Sequence, residues 1–315
     1  MIVRGRASWL TLVFTFRRSA LERIWLRLLV TAVLAVAVTE LYHFGYVDLN
    51  LTVTPFTLIG LALSIFLGFR NNTSYDRFWE GRKLWGQLVN TSRSLARQVL
   101  TLVGPHATDG PAAAPAELAA AHRELIYRII AFVHALRLHL RDEWTPEALA
   151  HLLPAADLAA LEGERNRPYA VLQGLGDALR RRWDADWVSP FHIPVLEASL
   201  CGLADIQGGC ERIKSTPIPH SYTVLIHRIV AIYCITLPFG LVQTIGQLTP
   251  VVVVMVAYAF YGLDAVGDEI ENPFGLDPND LPLTALSRMI EVNLRQRLGE
   301  TDLPPLLEPV DDILA

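Results

Sequence analysis

Lysine is nearly missing from this chain, Lys83 and Lys214 being the two examples, and almost all positive charge is arginine. That bias does not make the chain basic, because 27 Lys+Arg face 32 Asp+Glu for a formal net charge of -5. With no overall basic field and no aromatic-basic module of the RNA-binding type, the sequence gives no ground for a nucleic-acid partner. Cysteine is scarce as well. Cys201, Cys210 and Cys234 show no paired spacing, which argues against a disulfide framework or a zinc ribbon and leaves reduced thiols as the expectation. Enzyme signatures are lacking too: there is no Gly-rich phosphate loop before a helix, no HExxH, and no serine-histidine-acid or cysteine-histidine constellation. The nearest histidines, His134 and His139, are five positions apart and so lie on different faces of a helix. The N-terminus has no small-residue cleavage site before its first long apolar run and does not read as a removed signal peptide. Alternating β patterns are few and no solenoid repeat is evident, so the expected fold class is all-α.

What the chain does have is grease. It is 52% hydrophobic with a mean hydropathy of +0.32, too apolar for an ordinary soluble protein, yet 19% of its residues are charged, too many for burial wholly in lipid. Ile24 to Phe44 and the charge-free Leu51 to Phe69 suit membrane-spanning helices, at close to the ~20 residues a bilayer core requires. No charge occurs between Ile229 and Leu263, and glycines, prolines and glutamines from Pro238 to Pro250 mark a turn. That run divides into Tyr222 to Val242 and Leu248 to Val266, giving four spans in two hairpins. Arg4, Arg6, Arg17, Arg18 and Arg23 precede the first span, while Arg70, Arg77, Arg82 and Lys83 follow the second. The hairpin loops carry no Arg or Lys, so both termini and the middle region are expected on the cytoplasmic side.

In that middle region, PHATDGPAAAPAELAA reads as a linker or loop. Helical patterning resumes at His122 and places Leu125, Ile129, Phe132, Val133, Leu136 and Leu140 on one face. Shorter helices are expected around Pro146 to Leu161, Pro168 to Trp183 and Pro194 to Ile213. Thr216 to Pro219 reads as the opening of a helix, where proline costs no hydrogen bond. His227 and Arg228 fall within the third span, close enough to its cytoplasmic end for snorkelling to be the favoured explanation.

Between Phe56 and Val103 there is no proline, and apolar residues recur at helical steps well past the end of the second span. A single helix over that stretch would be roughly 70 Å long, more than twice the thickness of a bilayer core. Two ridges with a step of four mark its membrane part: small Gly60, Ser64 and Gly68, and bulky Leu61, Ile65 and Phe69. The small ridge permits close approach of another helix. The bulky ridge faces either lipid or, in an assembly, a central axis where it would make a hydrophobic constriction.

Three stretches resemble the bestrophin family, specifically its prokaryotic branch: LSIFLGFRNNTSYDRFWEGRKLWGQLVNTSR, GCERIKSTPIPHSYTVLIHR and DEIENPFGLDPNDLP. The resemblance implies a homopentameric, passive ion channel in a cell inner or plasma membrane, with lipid and monovalent ions as partners and no required cofactor. It implies a pore neck at Leu61, Ile65 and Phe69, with Arg70, Asn71 and Asn72 in the vestibule below. Trp79 and Trp85 would hold helices or subunits together. A cytoplasmic aperture falls by motif register at Phe191, with His192 or Ile193 as neighbouring choices and simple packing at a helix N-terminus as the alternative. Animal members bind calcium at a region matching Glu269, Asn272, Asp277 and Asp280. Here Leu276 interrupts the acidic run and Glu269 replaces an amide, so an acidic turn that caps helices is the preferred reading over a calcium switch, with binding of a divalent cation such as calcium left open. Prokaryotic relatives point to cation conduction, with chloride a close second. The chain order expected is 1–103 for the N-terminal segment, first hairpin and neck helix, 104–221 for the cytoplasmic helices, 222–266 for the second hairpin, and 267–315 for the acidic turn, a helix and the tail. The competing reading is a membrane-anchored scaffold whose cytoplasmic helices bind a partner.

Overall fold

The computed structural model describes residues 1–3, 8–16, 19–46, 51–105 and 115–314. Arg4, Arg6, Arg17 and Arg18, part of the first connecting loop, and much of the proline- and alanine-rich patch lie outside them. Ten α-helices are found among the described residues: α1 (Trp9–Val13), α2 (Ala20–His43), α3 (Thr54–Leu102), α4 (Pro115–Arg141), α5 (Ala155–Leu161), α6 (Arg167–Asp184), α7 (Ile193–Ser215), α8 (His220–Ile245), α9 (Thr249–Glu271) and α10 (Leu283–Arg297). Extended pairing among the described residues is confined to isolated bridges, so the all-α expectation holds.

The long helix is a single element of 49 residues, as its lack of interior proline predicts. Its one proline, Pro55, sits in the first turn, where no intrahelical N–H is needed. Three stretches are long and apolar enough to cross a membrane: α2, α3 and residues 220–271. The last contains α8 and α9, separated by a 3-10 turn at Gly246–Leu248. Gly246 has φ +53°, a left-handed conformation that glycine adopts without a Cβ clash, and this is where the sequence placed the hairpin turn.

The chain forms two compact units, each from discontinuous segments. One takes residues 4–79 and 217–272. Here α2, α8 and α9 pack on one another around Ile24, Leu28, Ala35, Val230, Cys234, Val253 and Ala257, and α3 adds Leu63 and Leu67 to the same core. Gly60 lies so close to the Tyr233 ring that an added Cβ would sit 2.6 Å from its hydroxyl. The small ridge therefore serves close approach at Gly60, whereas nothing lies within 4 Å of such a Cβ at Gly68.

The other unit takes residues 1–3, 80–216 and 273–315, with α4 at its centre, packed by α6, α7 and α10. Every residue of α4 from Leu125 to Leu136 is buried, so the expected single apolar face is corrected to burial all round. The helix also begins at Pro115 rather than near His122, because alanine is the best helix former and proline is tolerated at the first position. The stretch Pro146 to Leu161 is not one helix: a 3-10 turn, Pro146–Leu149, ends before Pro154, and α5 starts after it. Proline at 154 removes the N–H that a continuous helix would use.

Candidate functional site

The bulky ridge of α3 is exposed. Leu61, Ile65 and Phe69 keep 63%, 51% and 61% of their surfaces accessible, while Leu63 and Leu67 on the same helix are buried in the core. A rotation of about 100° per residue puts the two sets on different faces, so α3 carries its bulky ridge outward. The same stripe continues below Phe69 through Asn72 and Asp76, both exposed, and through Lys83, Asn90 and Ser94 further along the helix. The surface changes from apolar to polar while its azimuth stays constant.

Arg70 follows Phe69 by one position and therefore points elsewhere. Its side chain is fully buried. One terminal nitrogen donates to Asp264 Oδ1 at 2.6 Å and the other to Asp268 Oδ1. Asp264 and Asp268 are four apart on α9 and so share a face. His227 of α8 places Nδ1 2.9 Å from Asp264 Oδ1 and Nε2 3.5 Å from Asp268 Oδ2. Arg27 of α2 stands 3.7 Å from Asp264 Oδ2, and Arg23 stands 3.9 Å from Glu269 Oε2. Asn71 donates to the Leu263 carbonyl at 3.0 Å, and Arg77 to the Glu271 carbonyl at 3.0 Å. Four helices are thus tied together directly below the apolar ridge.

This geometry corrects one expectation and revises another. Arg70 does not line a water-filled vestibule: its charge is buried and matched by two carboxylates, because an unpaired guanidinium at such a position would be costly. Asn71 is half-buried and tied to α9, which leaves Asn72 as the exposed member of the trio. His227 is not a free snorkelling group but a partner of Asp264 and Asp268. The sequence offered one signal for the cluster, since ionisable residues inside membrane spans are usually paired. It could not say with what.

His227, Asp264 and Asp268 bring three ligand atoms within 4.8 Å of one another, a set that a transition metal could accept. The Arg70 guanidinium fills the place a cation would take, with Arg27 close by, so these residues are satisfied as an internal ion-pair network. Of the residues matched to calcium ligands, Glu269 and Asn272 belong to the first unit, and Asp277 and Asp280 to the second. Within the second unit the loop closes on itself: Asp277 N donates to Asp280 Oδ2 at 2.7 Å, and Asp280 N donates to the Asp277 carbonyl at 2.9 Å. Burial pushes the Asp280 carboxyl up to about 6.

Phe191 lies in the turn just before α7, with 88% of its surface exposed. Packing at the helix N-terminus is therefore not what it does within this chain. Trp85 is fully buried, while Trp79 remains 46% exposed.

The comparisons with known proteins agree with one another. The family model described as bacterial and fungal bestrophin protein matches residues 1–296. A voltage-dependent anion channel-forming protein of Ralstonia nicotianae is 43% identical over 305 residues, covering 96% of each chain. One of the same description from Escherichia coli K12 is 37% identical over 310 residues, covering 98% of each. A crystal structure of a bacterial bestrophin homologue from Klebsiella pneumoniae superposes with a TM-score of 0.79 at 34% identity, over 90% of this chain and all of that one. On a match that runs through nearly the whole length, and on a shared helical fold, the chain belongs to the bacterial and fungal bestrophin family.

Proposed function

We propose that the chain is one subunit of a homopentameric, passive ion channel in which Leu61, Ile65 and Phe69 of each copy ring the axis as a hydrophobic neck. That the protein is a membrane ion channel and not an enzyme follows from its family. The observation that carries the finer reading is the outward ridge of α3, bulky and apolar through Phe69 and polar from Asn72 onward at the same azimuth. Facing an axis, such a surface makes a constriction able to gate by dewetting, followed by a wet vestibule. Phe191, standing free at the start of α7, fits a second constriction at the cytoplasmic mouth. The arginines flanking the spans support an inner or plasma membrane location with both termini cytoplasmic.

The conducted ions are monovalent, with cations the first reading. Burial of Arg70 between two aspartates removes the main local argument for anions at the base of the neck. Anion conduction is the second reading, favoured by the names of the relatives from Ralstonia and Escherichia. The reversal potential of purified protein in a planar bilayer under a sodium chloride gradient separates them: movement toward the sodium equilibrium potential supports cations, and movement toward chloride supports anions. No current from folded, pentameric protein would favour the scaffold reading.

The pore needs no cofactor. Calcium at the acidic turn is a separate proposal, supported by the buried Asp280 carboxyl beside Asp277. It predicts that added calcium raises the thermal midpoint at neutral pH and that Asp280→Asn removes the rise. Equal midpoints with and without calcium would dismiss it.

A further inference from the structure

We propose that Asp76 is the residue that sets the charge preference of the pore, a proposal that rests on the axial reading of the α3 ridge. The formal charges nearest the neck on α3 are Arg70, Asp76 and Arg77. Arg70 is buried and neutralised by Asp264 and Asp268, and Arg77 is half-buried with its Nε on the Glu271 carbonyl. Asp76 alone of the three is exposed, and it has no hydrogen-bond or ion-pair partner among the described residues. It lies seven positions beyond Phe69, two helical turns along, which returns it to the azimuth of the apolar ridge.

In a five-fold assembly this places a ring of carboxylates about 10 Å beyond the last apolar ring, comparable with the ~8 Å screening length at physiological salt. Ions leaving or entering the neck would pass within its field, and rings of Asp or Glu draw cations to a pore mouth. Lys83 occupies the same stripe two turns further on, but it is engaged within the chain, and Glu80 is engaged with Arg212. On the axis, Arg70 would favour anions, and the acidic residues at and beyond the end of α9 would favour cations. The structure takes Arg70 out of that balance and leaves Asp76 as the free charge on the conducting face.

The test compares wild type, Asp76→Asn and Asp76→Arg as full-length protein in planar bilayers under a sodium chloride gradient, after the assembled species has been verified by its mass in detergent. Asp76 touches no partner, so the asparagine variant should assemble as wild type does. We expect the sodium-to-chloride permeability ratio to exceed one in wild type, to fall several-fold in Asp76→Asn and to drop below one in Asp76→Arg. An unchanged ratio in conducting Asp76→Asn and Asp76→Arg, or an anion preference in wild type, overturns the proposal. Failure of the underlying neck reading has a different signature: alanine at Leu61, Ile65 and Phe69 would leave conductance unaltered whatever the ratio at Asp76.

Discussion

The two units solve opposite solvation problems. On the membrane part of α3, Leu58, Ile59, Leu61, Ile65, Phe66 and Phe69 stand exposed while Arg70 is sealed inside with Asp264. On α4 the apolar residues from Leu125 to Leu136 are all inside, and exposed positions such as Arg123 are charged. A large contiguous apolar patch is stable where the neighbour is lipid or another copy of the chain, and a buried charge is tolerated only with a partner. The comparison teaches that hydrophobicity alone does not mark the core of this protein. In the first unit the interior is identified as much by its paired charges and small residues as by its grease.

The largest effects on stability are expected where side chains are fully packed or carry buried charge. Phe132→Ala, in the fully packed α4, should lose about 3–5 kcal/mol of stability, and denaturant unfolding in detergent would register it. Arg70→Met should cost about as much, 3–5 kcal/mol, because the buried Asp264 carboxylate, and with it the partly exposed Asp268, loses its counter-charge. Adding Asp264→Asn and Asp268→Asn to Arg70→Met should recover a large part of that loss; no recovery would mean that Arg70 acts by packing and not by charge.

A smaller and pH-dependent effect is expected at Glu291 of α10. Burial alone would raise its carboxyl, but the hydrogen bond from His134 Nε2 at 3.0 Å, with Arg295 at 3.2 Å and Arg288 at 3.8 Å, holds it down at about 2. A depressed carboxylate contributes stability that is present above its unfolded value near 4.3 and lost as pH falls toward 2. Glu291→Gln should therefore cost up to about 3 kcal/mol at neutral pH, and thermal midpoints of the two proteins should converge as the pH is lowered below 4. A gap independent of pH would contradict the ionic account. The smallest effect on stability belongs to the exposed ridge: Phe69→Ala should change the unfolding free energy of a subunit by less than about 1 kcal/mol, in contrast to Phe132→Ala.

Much of this architecture was legible in the residues because local rules decide it. Absence of proline between Phe56 and Val103 implied one helix, and α3 is one helix; the Gly246 turn followed from a glycine amid prolines and glutamines. The ridge of Leu61, Ile65 and Phe69 was readable from a step of four, and its outward direction agrees with the pattern. The start of α4 was missed because alanine-rich sequence flanked by prolines reads as a linker by composition while favouring helix by propensity. Above all, Arg70 could not be assigned. Its partners lie 194 and 198 positions away, and no local pattern distinguishes an arginine that lines a cavity from one locked to an opposing helix.

Single-channel conductance reports whether the bulky ridge of α3 lines the axis. Purified wild type and Leu61→Ala/Ile65→Ala/Phe69→Ala, both shown to be assembled, are compared in planar bilayers at equal salt. A ring of bulky apolar side chains on the axis predicts a larger conductance or a higher open fraction once those side chains are removed. Currents identical to wild type, from a variant that folds and assembles, would place the ridge against lipid and move the pore elsewhere.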